Sequence, residues 1–182
     1  MAHKVVPEPA KGDGVTQQVR RIPDGYHAVT PYVIVKGAAE FVAFMEKAFG
    51  ATDRGQVLND DGTVGHAEVQ IADSVVMTFD AKPDWPATPG FLTLYVEDCD
   101  AVHQAALDAG ATTVTPLSTN AWGDRGSRIR DPFGNIWWIQ SHVEDVPEEE
   151  IMRRMADEAF GADMAVSAET LDREIRGIGR QR

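Results

Sequence analysis

Two stretches of the chain show the same order of hydrophobic patterns, and the first of them begins near residue 26. An apolar, β-branched run at 31–35 predicts a strand, and apolar positions three and four apart predict a helix over 37–49. Three runs with strand-like alternation follow, separated by short polar turns, at 55–59, 64–71 and 74–79. The predicted order is therefore βαβββ.

The second stretch repeats this order after a segment rich in proline and tryptophan at 82–90. The pattern predicts a strand at 91–96, a helix at 98–109 and strands at 112–116, 127–130 and 135–141. The helix ends also match, with FGAT at 49–52 and AGAT at 109–112. A module of this size cannot bury its sheet face alone, so the repeat favours an α+β fold of two modules paired around a shared cavity. Two unrelated αβ units with similar patterns are the alternative.

The two ends of the chain differ from the repeat. Residues 1–25 are rich in proline, glycine and charge without periodicity, which predicts a flexible arm. The main domain is predicted at 26–146, with modules at 26–81 and 91–143, and a helical tail at 147–182. The first tail helix would dock on the domain or on a second subunit, and residues from 167 onward would form another short helix or a mobile end.

Composition narrows the range of partners. The chain has 29 acidic and 17 basic residues and a net charge of −12, which argues against nucleic acid and anionic membranes as partners. Cys99 is the single cysteine, so an intrachain disulfide and a thiolate cluster are both excluded. No run of about 18 apolar residues and no secretory signal is visible. A cytoplasmic location is expected.

Three segments carry a resemblance to a known family. IPDGYHAVTPYVIVKGAAEFVAFMEKAFGA, GHAEVQIADSVVM and GDRGSRIRDPFGNIWWIQSHVEDV resemble the PhnB-like branch of the glyoxalase/bleomycin-resistance/dioxygenase superfamily, which has the vicinal oxygen chelate fold. The resemblance covers about residues 22–150. It implies paired βαβββ modules that form a curled mixed sheet around a central pocket, usually in a homodimer. The superfamily includes lyases, dioxygenases, epimerases, thiol transferases and drug-sequestering proteins, so the resemblance does not select an activity.

The resemblance also implies a divalent metal held by four His and Glu side chains, two from each module. Carried onto this chain, the four ligand positions fall on Thr30, Met77, Phe91 and Trp138. Phenylalanine and tryptophan offer no lone pair, the methionine thioether is too soft for Mg, Mn or Fe, and a lone hydroxyl binds weakly. We therefore expect neither metal nor cofactor.

The aromatic residues at these positions suggest a second use for the pocket. The ligand-binding residues would include Trp138, Phe91, Met77 and Tyr32, which form a floor that stacks against a flat, apolar or cationic small molecule, and Thr30 beside this floor. The alternative is that these side chains fill a redundant cavity. Two further residues, Trp85 and Trp122, lie in predicted loops and would form walls of the pocket or cover a core edge.

Polar residues in two strands are the candidates for chemistry. His66 and Glu68 lie two apart on one face, with Cβ atoms about 7 Å apart, and would act as a base with an orienting carboxylate. With His27 they would instead be ligands of a displaced metal site, and a row facing solvent or a dimer seam is the third possibility. Arg128 and Arg130 would clamp a carboxylate or phosphate, or pair with Glu68.

Three hypotheses for the function follow from these patterns. The first is a metal-free small-molecule binding protein of the bleomycin-resistance type, which sequesters an aromatic or amphipathic compound. The second is a glyoxalase-like lyase or isomerase with a relocated metal or with His66 and Glu68 as an acid-base pair. The third is a scaffold whose pocket is filled and whose C-terminal helix binds another protein.

Overall fold

The computed structural model of the chain describes residues 19–179. Residues 1–18 of the predicted arm and residues 180–182 of the predicted tail lie outside the described residues. The secondary-structure elements are, in chain order, β1 Tyr32–Val35, α1 Ala38–Phe49, β2 Thr52–Leu58, β3 Val64–Ile71, β4 Ser74–Asp80, β5 Phe91–Tyr95, α2 Cys99–Asp108, β6 Thr112–Thr119, β7 Asp124–Arg130, β8 Ile136–His142, α3 Glu148–Met155 and α4 Glu158–Gly179. The predicted βαβββ order is confirmed in both halves.

The strands form two four-stranded mixed sheets with the same topology, ordered β1-β4-β3-β2 and β5-β8-β7-β6. In each sheet the first strand is parallel to the last, and the other neighbours are antiparallel. Tyr32 lies opposite Met77 in the first sheet, and Thr93 lies opposite Trp138 in the second. Thr93 follows Tyr32 by the same number of residues as Trp138 follows Met77, so the strands of the two modules pair in the same register. The sheets are not closed into a barrel.

One face of each sheet packs against the helices and forms the core. Phe41 and Met45 of α1 are fully buried, together with Val69 of β3, Ile129 of β7 and Ile139 of β8. The two helices pack against each other, so both modules contribute to one hydrophobic core. The opposite faces point away from the helices, and we call them the first and second open faces.

A side chain near the end of the last strand holds the start of each helix. The Asp80 carboxylate accepts hydrogen bonds from the backbone N–H groups of Gly37 and Ala38, at 2.8 and 2.9 Å. In the second module the Ser141 hydroxyl accepts a hydrogen bond of 2.9 Å from the Cys99 backbone N–H. These bonds satisfy N–H groups that a helix start leaves without intrahelical partners. These bonds fix the start of α1 to β4 and the start of α2 to β8.

The C-terminal segment differs from its prediction in length and position. Its second helix is not a short element starting at residue 167, because α4 begins at Glu158 and runs for 22 residues. This helix packs against β6 at the second sheet. Its sheet-facing stripe includes Ser167, Thr170 and Glu174, and such polar residues give little of the apolar periodicity that predicts a docked helix.

Across residues 19–179, no helix combines the length and apolar character that crossing a bilayer requires.

Candidate functional site

The first open face carries a chain of hydrogen bonds through the predicted pair His66 and Glu68. The Tyr32 hydroxyl lies 2.9 Å from His66 Nδ1, and His66 Nε2 lies 3.1 Å from Glu68 Oε1. Tyr32 is 46% exposed, so its hydroxyl is accessible to a ligand. Arg54 Nε lies 3.9 Å from Glu68 Oε2. The structure thus brings His66 and Glu68 together on an accessible surface.

The hydrogen bonds indicate which atoms act as donors and acceptors along this chain. A hydrogen bond from Tyr26 and one from His66 lower the pKa of the Glu68 carboxyl, which therefore stays ionised near neutral pH. An ionised carboxylate only accepts hydrogen bonds, so His66 Nε2 is the donor in this contact and carries a proton. His66 Nδ1 then accepts the hydrogen bond from the Tyr32 hydroxyl. Both imidazole nitrogens are engaged, and Tyr32 is the most exposed of the three residues in this chain.

Aromatic side chains extend this face beyond the polar row. The rings of Tyr32 and Phe79 meet edge to face with centroids 5.4 Å apart, and Phe79 meets Trp85 in the same way at 6.1 Å. Met77 lies directly opposite Tyr32 on the neighbouring strand. Phe79 and Trp85 also line a cleft of about 600 Å³ at the end of this face. Trp85 therefore forms a wall of an accessible cleft beside the polar row.

The second open face is covered by α4. Arg128 is only 8% exposed, and its guanidinium lies over the Trp138 ring at 4.3 Å from the centroid. Its Nη1 donates to the Ser167 hydroxyl at 2.7 Å, and Arg130 Nη1 lies 3.3 Å from Glu174 Oε1. The predicted pairing of these arginines with Glu68 is wrong. Glu68 belongs to the other sheet and pairs with groups there.

The donor set at the positions implied for a metal does not fit a divalent cation. The Thr30 hydroxyl donates to the His27 carbonyl oxygen at 3.1 Å, and Thr30 lies just before β1. The face of Trp138 holds the cationic guanidinium of Arg128, which would repel a metal ion. Within residues 19–179, His, Cys, Asp and Glu form no group of three or more that could hold a metal. The displaced site with His27 is not assembled either, since His27, His66 and Glu68 form no such group and His27 Nε2 lies 3.9 Å from Asp73.

The remaining candidates lie at separate places. Phe91 is 49% exposed at the start of β5, where it faces Ile136 on the neighbouring strand. The Trp122 indole N–H donates to Asp124 Oδ2 at 2.9 Å and so fixes the loop before β7. Cys99 is buried, and this burial raises the pKa of its thiol. The structure therefore divides the sequence-predicted residues between two faces and a loop.

A polar cluster around Asp124 was not found from the sequence. The buried Asp124 carboxylate accepts hydrogen bonds from the Tyr95 hydroxyl at 3.0 Å and from Trp122, and His142 Nδ1 lies 2.7 Å from Asp124 Oδ1. His142 Nε2 also lies 3.0 Å from Asp145 Oδ1. Asp124 stands in the stretch GDRG, which has loop composition although it begins β7. The partners come from three different elements, so no local sequence signal marks the cluster.

His142 predicts a pH dependence of stability. Hydrogen bonding to Asp124 and then to Asp145 raises the pKa of His142 above its value in the unfolded chain, about 6.5. Its contribution is therefore fully present below about pH 6.5 and is lost as the pH rises through the higher folded-state pKa. We expect the difference in Tm between the wild type and His142→Gln to be largest near pH 6 and to shrink toward pH 9.

The comparison with His142→Gln is needed because His103 acts in the opposite direction. Burial lowers the pKa of His103, so its effect destabilises the fold as the pH falls. Both proteins share this effect, and it cancels in the difference. A Tm difference that does not change between pH 6 and pH 9 would contradict the assignment of a raised pKa to His142.

The chain matches known proteins over the part that contains both open faces. A family model described as Glyoxalase/Bleomycin resistance protein/Dioxygenase superfamily matches residues 26–139. An uncharacterized protein of Mycobacterium tuberculosis is 37% identical over 145 residues, which cover 74% of this chain and 85% of that protein.

Two solved structures show the same fold at lower identity. TioX from Micromonospora sp. is 20% identical with a TM-score of 0.53, and the match covers 66% of this chain and 100% of TioX. A PhnB protein from Bacillus cereus is 19% identical with a TM-score of 0.50, and the match covers 63% of this chain and 99% of that protein. At this level of identity the similarity shows a shared fold.

Proposed function

Since the chain belongs to the glyoxalase/bleomycin resistance protein/dioxygenase superfamily, we propose that it binds a small aromatic or amphipathic molecule on its first open face without a metal at the family's ligand positions. The observation that carries this proposal is the juxtaposition of an aromatic row with a polar chain on one exposed surface. Tyr32 belongs to both, through its contacts with Phe79 and with His66. A homodimeric assembly and a cytoplasmic location are part of the proposal.

The two rows would recognise different parts of one ligand. Aromatic rings prefer edge-to-face and offset stacking, so Phe79 and Trp85 suit a flat apolar portion. The Tyr32 hydroxyl and the Arg54 guanidinium, which is 32% exposed, suit a polar group on the same molecule. The nearby Arg54 guanidinium partly offsets the negative charge of Glu68, which reduces the repulsion of an anionic group on the ligand.

Binding would be tested with a panel of flat apolar and amphipathic compounds, followed by quenching of tryptophan fluorescence and by calorimetry. For a compound that binds, Tyr32→Ala is expected to raise Kd about 10-fold, because it removes both a ring contact and a hydroxyl. Met152→Ala is the control, since Met152 is 63% exposed and belongs to α3, which packs against α4. An unchanged Kd for Tyr32→Ala would exclude the first open face as the binding site.

A second candidate function is acid-base catalysis of the lyase or isomerase type, and the Tyr32, His66 and Glu68 chain favours it. In this mechanism Tyr32 exchanges a proton with the substrate, His66 exchanges a proton with the Tyr32 hydroxyl, and Glu68 stabilises the resulting imidazolium. A binding protein requires no turnover, whereas acid-base catalysis does. Under turnover, His66→Gln would lower kcat by at least about 100-fold while leaving substrate Kd nearly unchanged. Absence of turnover with every compound that binds would leave the protein a binding protein.

A further inference from the structure

The buried arginine of the second open face lacks an anionic partner. Arg128 is 8% exposed, and no carboxylate among residues 19–179 forms an ion pair with it. Its Nη1 reaches only neutral oxygens, those of Thr115 at 3.3 Å and of Ser167 at 3.2 and 2.7 Å. Its Nε is buried without any hydrogen-bond partner. A buried guanidinium in this state is costly, since such charges are normally paired in protein interiors.

The surroundings of Arg128 have the features of an oxyanion-binding site. Its guanidinium carbon lies 4.3 Å from the centroid of the Trp138 ring, and this cation–π contact holds the guanidinium in place. Arg130 follows on the same face of β7, two residues along the strand. Two arginines on one strand face are suited to a carboxylate or phosphate group, and Trp138 offers a flat apolar surface beside them.

The helix that covers this face is attached to it mainly by polar groups. Ser167 contacts Arg128, Glu174 contacts Arg130, and Thr170 lies 2.9 Å from Thr115. Every side chain of α4 whose exposure is described remains partly or largely exposed, and its apolar residues Phe160, Met164 and Leu171 are only partly buried. Partial burial of these side chains gains less from the hydrophobic effect than full burial would, so the attachment of α4 is weaker than that of a core helix and can be displaced.

We propose that the second open face is a site for a small molecule that carries a carboxylate or phosphate group beside a flat apolar portion. In this site α4 acts as an intrachain substitute, with the oxygens of Ser167 and Glu174 in place of those of the ligand. Ligand binding and α4 docking then exclude each other. This inference concerns the second open face and does not depend on the function proposed for the first.

Loosening the helix tests the competition directly in the full chain. The double variant Ser167→Ala with Glu174→Gln weakens both contacts of α4 with the arginines: it removes the hydroxyl that accepts from Arg128 and the charge that pairs with Arg130. Phenyl phosphate and benzoate serve as probes, with Kd measured by calorimetry and by quenching of tryptophan fluorescence. We expect Kd for at least one probe to fall about 10-fold relative to the wild type, because the binding-competent state becomes more populated. A preference between the probes distinguishes phosphate from carboxylate recognition.

A matched control lies on the outer side of the same helix. Asp172→Asn breaks the exposed pair of Asp172 with Arg176 and leaves the sheet-facing contacts in place, so it should not change Kd. Adding Arg130→Gln to the double variant should remove the gain, and Arg130 is exposed enough (34%) for the fold to tolerate this change. Benzyl alcohol, the neutral counterpart of the probes, should show no gain.

Two results would overturn the proposal. One is a double variant that binds both probes no more tightly than Asp172→Asn does. The other is a gain in affinity that persists after Arg130→Gln and also after Arg128→Gln, since binding would then not require the arginines. Amide hydrogen exchange supplies an independent readout, because saturating phenyl phosphate should speed exchange along residues 167–174 in the double variant. Circular dichroism would verify that each variant retains its helix content.

Discussion

Replacing Trp137 with alanine is expected to lower the free energy of unfolding by about 3–5 kcal/mol, the usual cost of deleting a large core aromatic. Trp137 is 2% exposed, and its ring packs against Phe49 with centroids 4.7 Å apart. Its indole N–H donates to Asp131 Oδ2 at 2.9 Å, so the substitution removes a buried hydrogen bond as well as ring volume. Urea denaturation at constant pH would measure the change.

The next residue provides the matched control for this prediction. Trp138 has the same side chain but points to the second open face, where it lies under Arg128 and is only partly buried. Trp138→Ala should therefore cost about 1–2 kcal/mol, mostly through the lost cation–π contact and partial burial. Equal costs for the two substitutions would contradict the assignment of Trp137 to the core and of Trp138 to the open face.

Asp131→Ala is expected to cost at least about 3 kcal/mol, because it leaves three buried donors and one partly buried donor without an acceptor. Asp131 is 3% exposed. Its Oδ1 accepts from the backbone N–H groups of Phe133 and Asn135 at 2.9 and 2.8 Å, and its Oδ2 accepts from Asn135 Nδ2 and Trp137 Nε1 at 2.8 and 2.9 Å. One carboxylate thus ties the turn before β8 to the core. Burial raises the pKa of Asp131, whereas these donors favour its charged form.

An exposed turn aspartate serves as the comparison. Asp61 also accepts hydrogen bonds within its turn, from the Thr63 backbone N–H at 3.0 Å and from the Thr63 hydroxyl at 2.6 Å. Its donors can bond to water after substitution, so Asp61→Ala should cost less than about 1 kcal/mol. Denaturation midpoints that shift by similar amounts in Asp131→Ala and Asp61→Ala would show that burial of the donors is not the source of the effect.

Local patterns were sufficient to predict most of the fold. The alternation in HAEVQI placed Ala67, Val69 and Ile71 under a helix and His66 and Glu68 on the opposite face, and the structure has this arrangement. Strand ends were less predictable, because the length of a strand depends on hydrogen bonding to a neighbouring strand as well as on its own hydrophobic pattern. β7 begins at Asp124 rather than at residue 127, since the polar residues that precede Ser127 are paired with β8.

The sequence was sufficient to predict residues of the candidate site, but it did not predict the contacts that these residues make. His66 and Glu68 are two residues apart, so the strand geometry alone brings them together. The partner of His66 on the other side, Tyr32, lies 34 residues away. Arg128 and Arg130 reach their partners in α4 over 39 and 44 residues. Contacts over such separations depend on packing that no local pattern encodes.

The sequence by itself determined the repeat, the family and the unsuitability of Met77, Phe91 and Trp138 as metal ligands, because residue type and strand periodicity are local properties. The tertiary structure decided which of the two open faces is accessible. Tyr32 remains exposed on the first face, whereas α4 covers Arg128 on the second. That difference arises because the polar stripe of α4 docks onto a sheet whose strands lie far from it in the sequence. The free energy of this docking depends on groups that meet only in the folded chain.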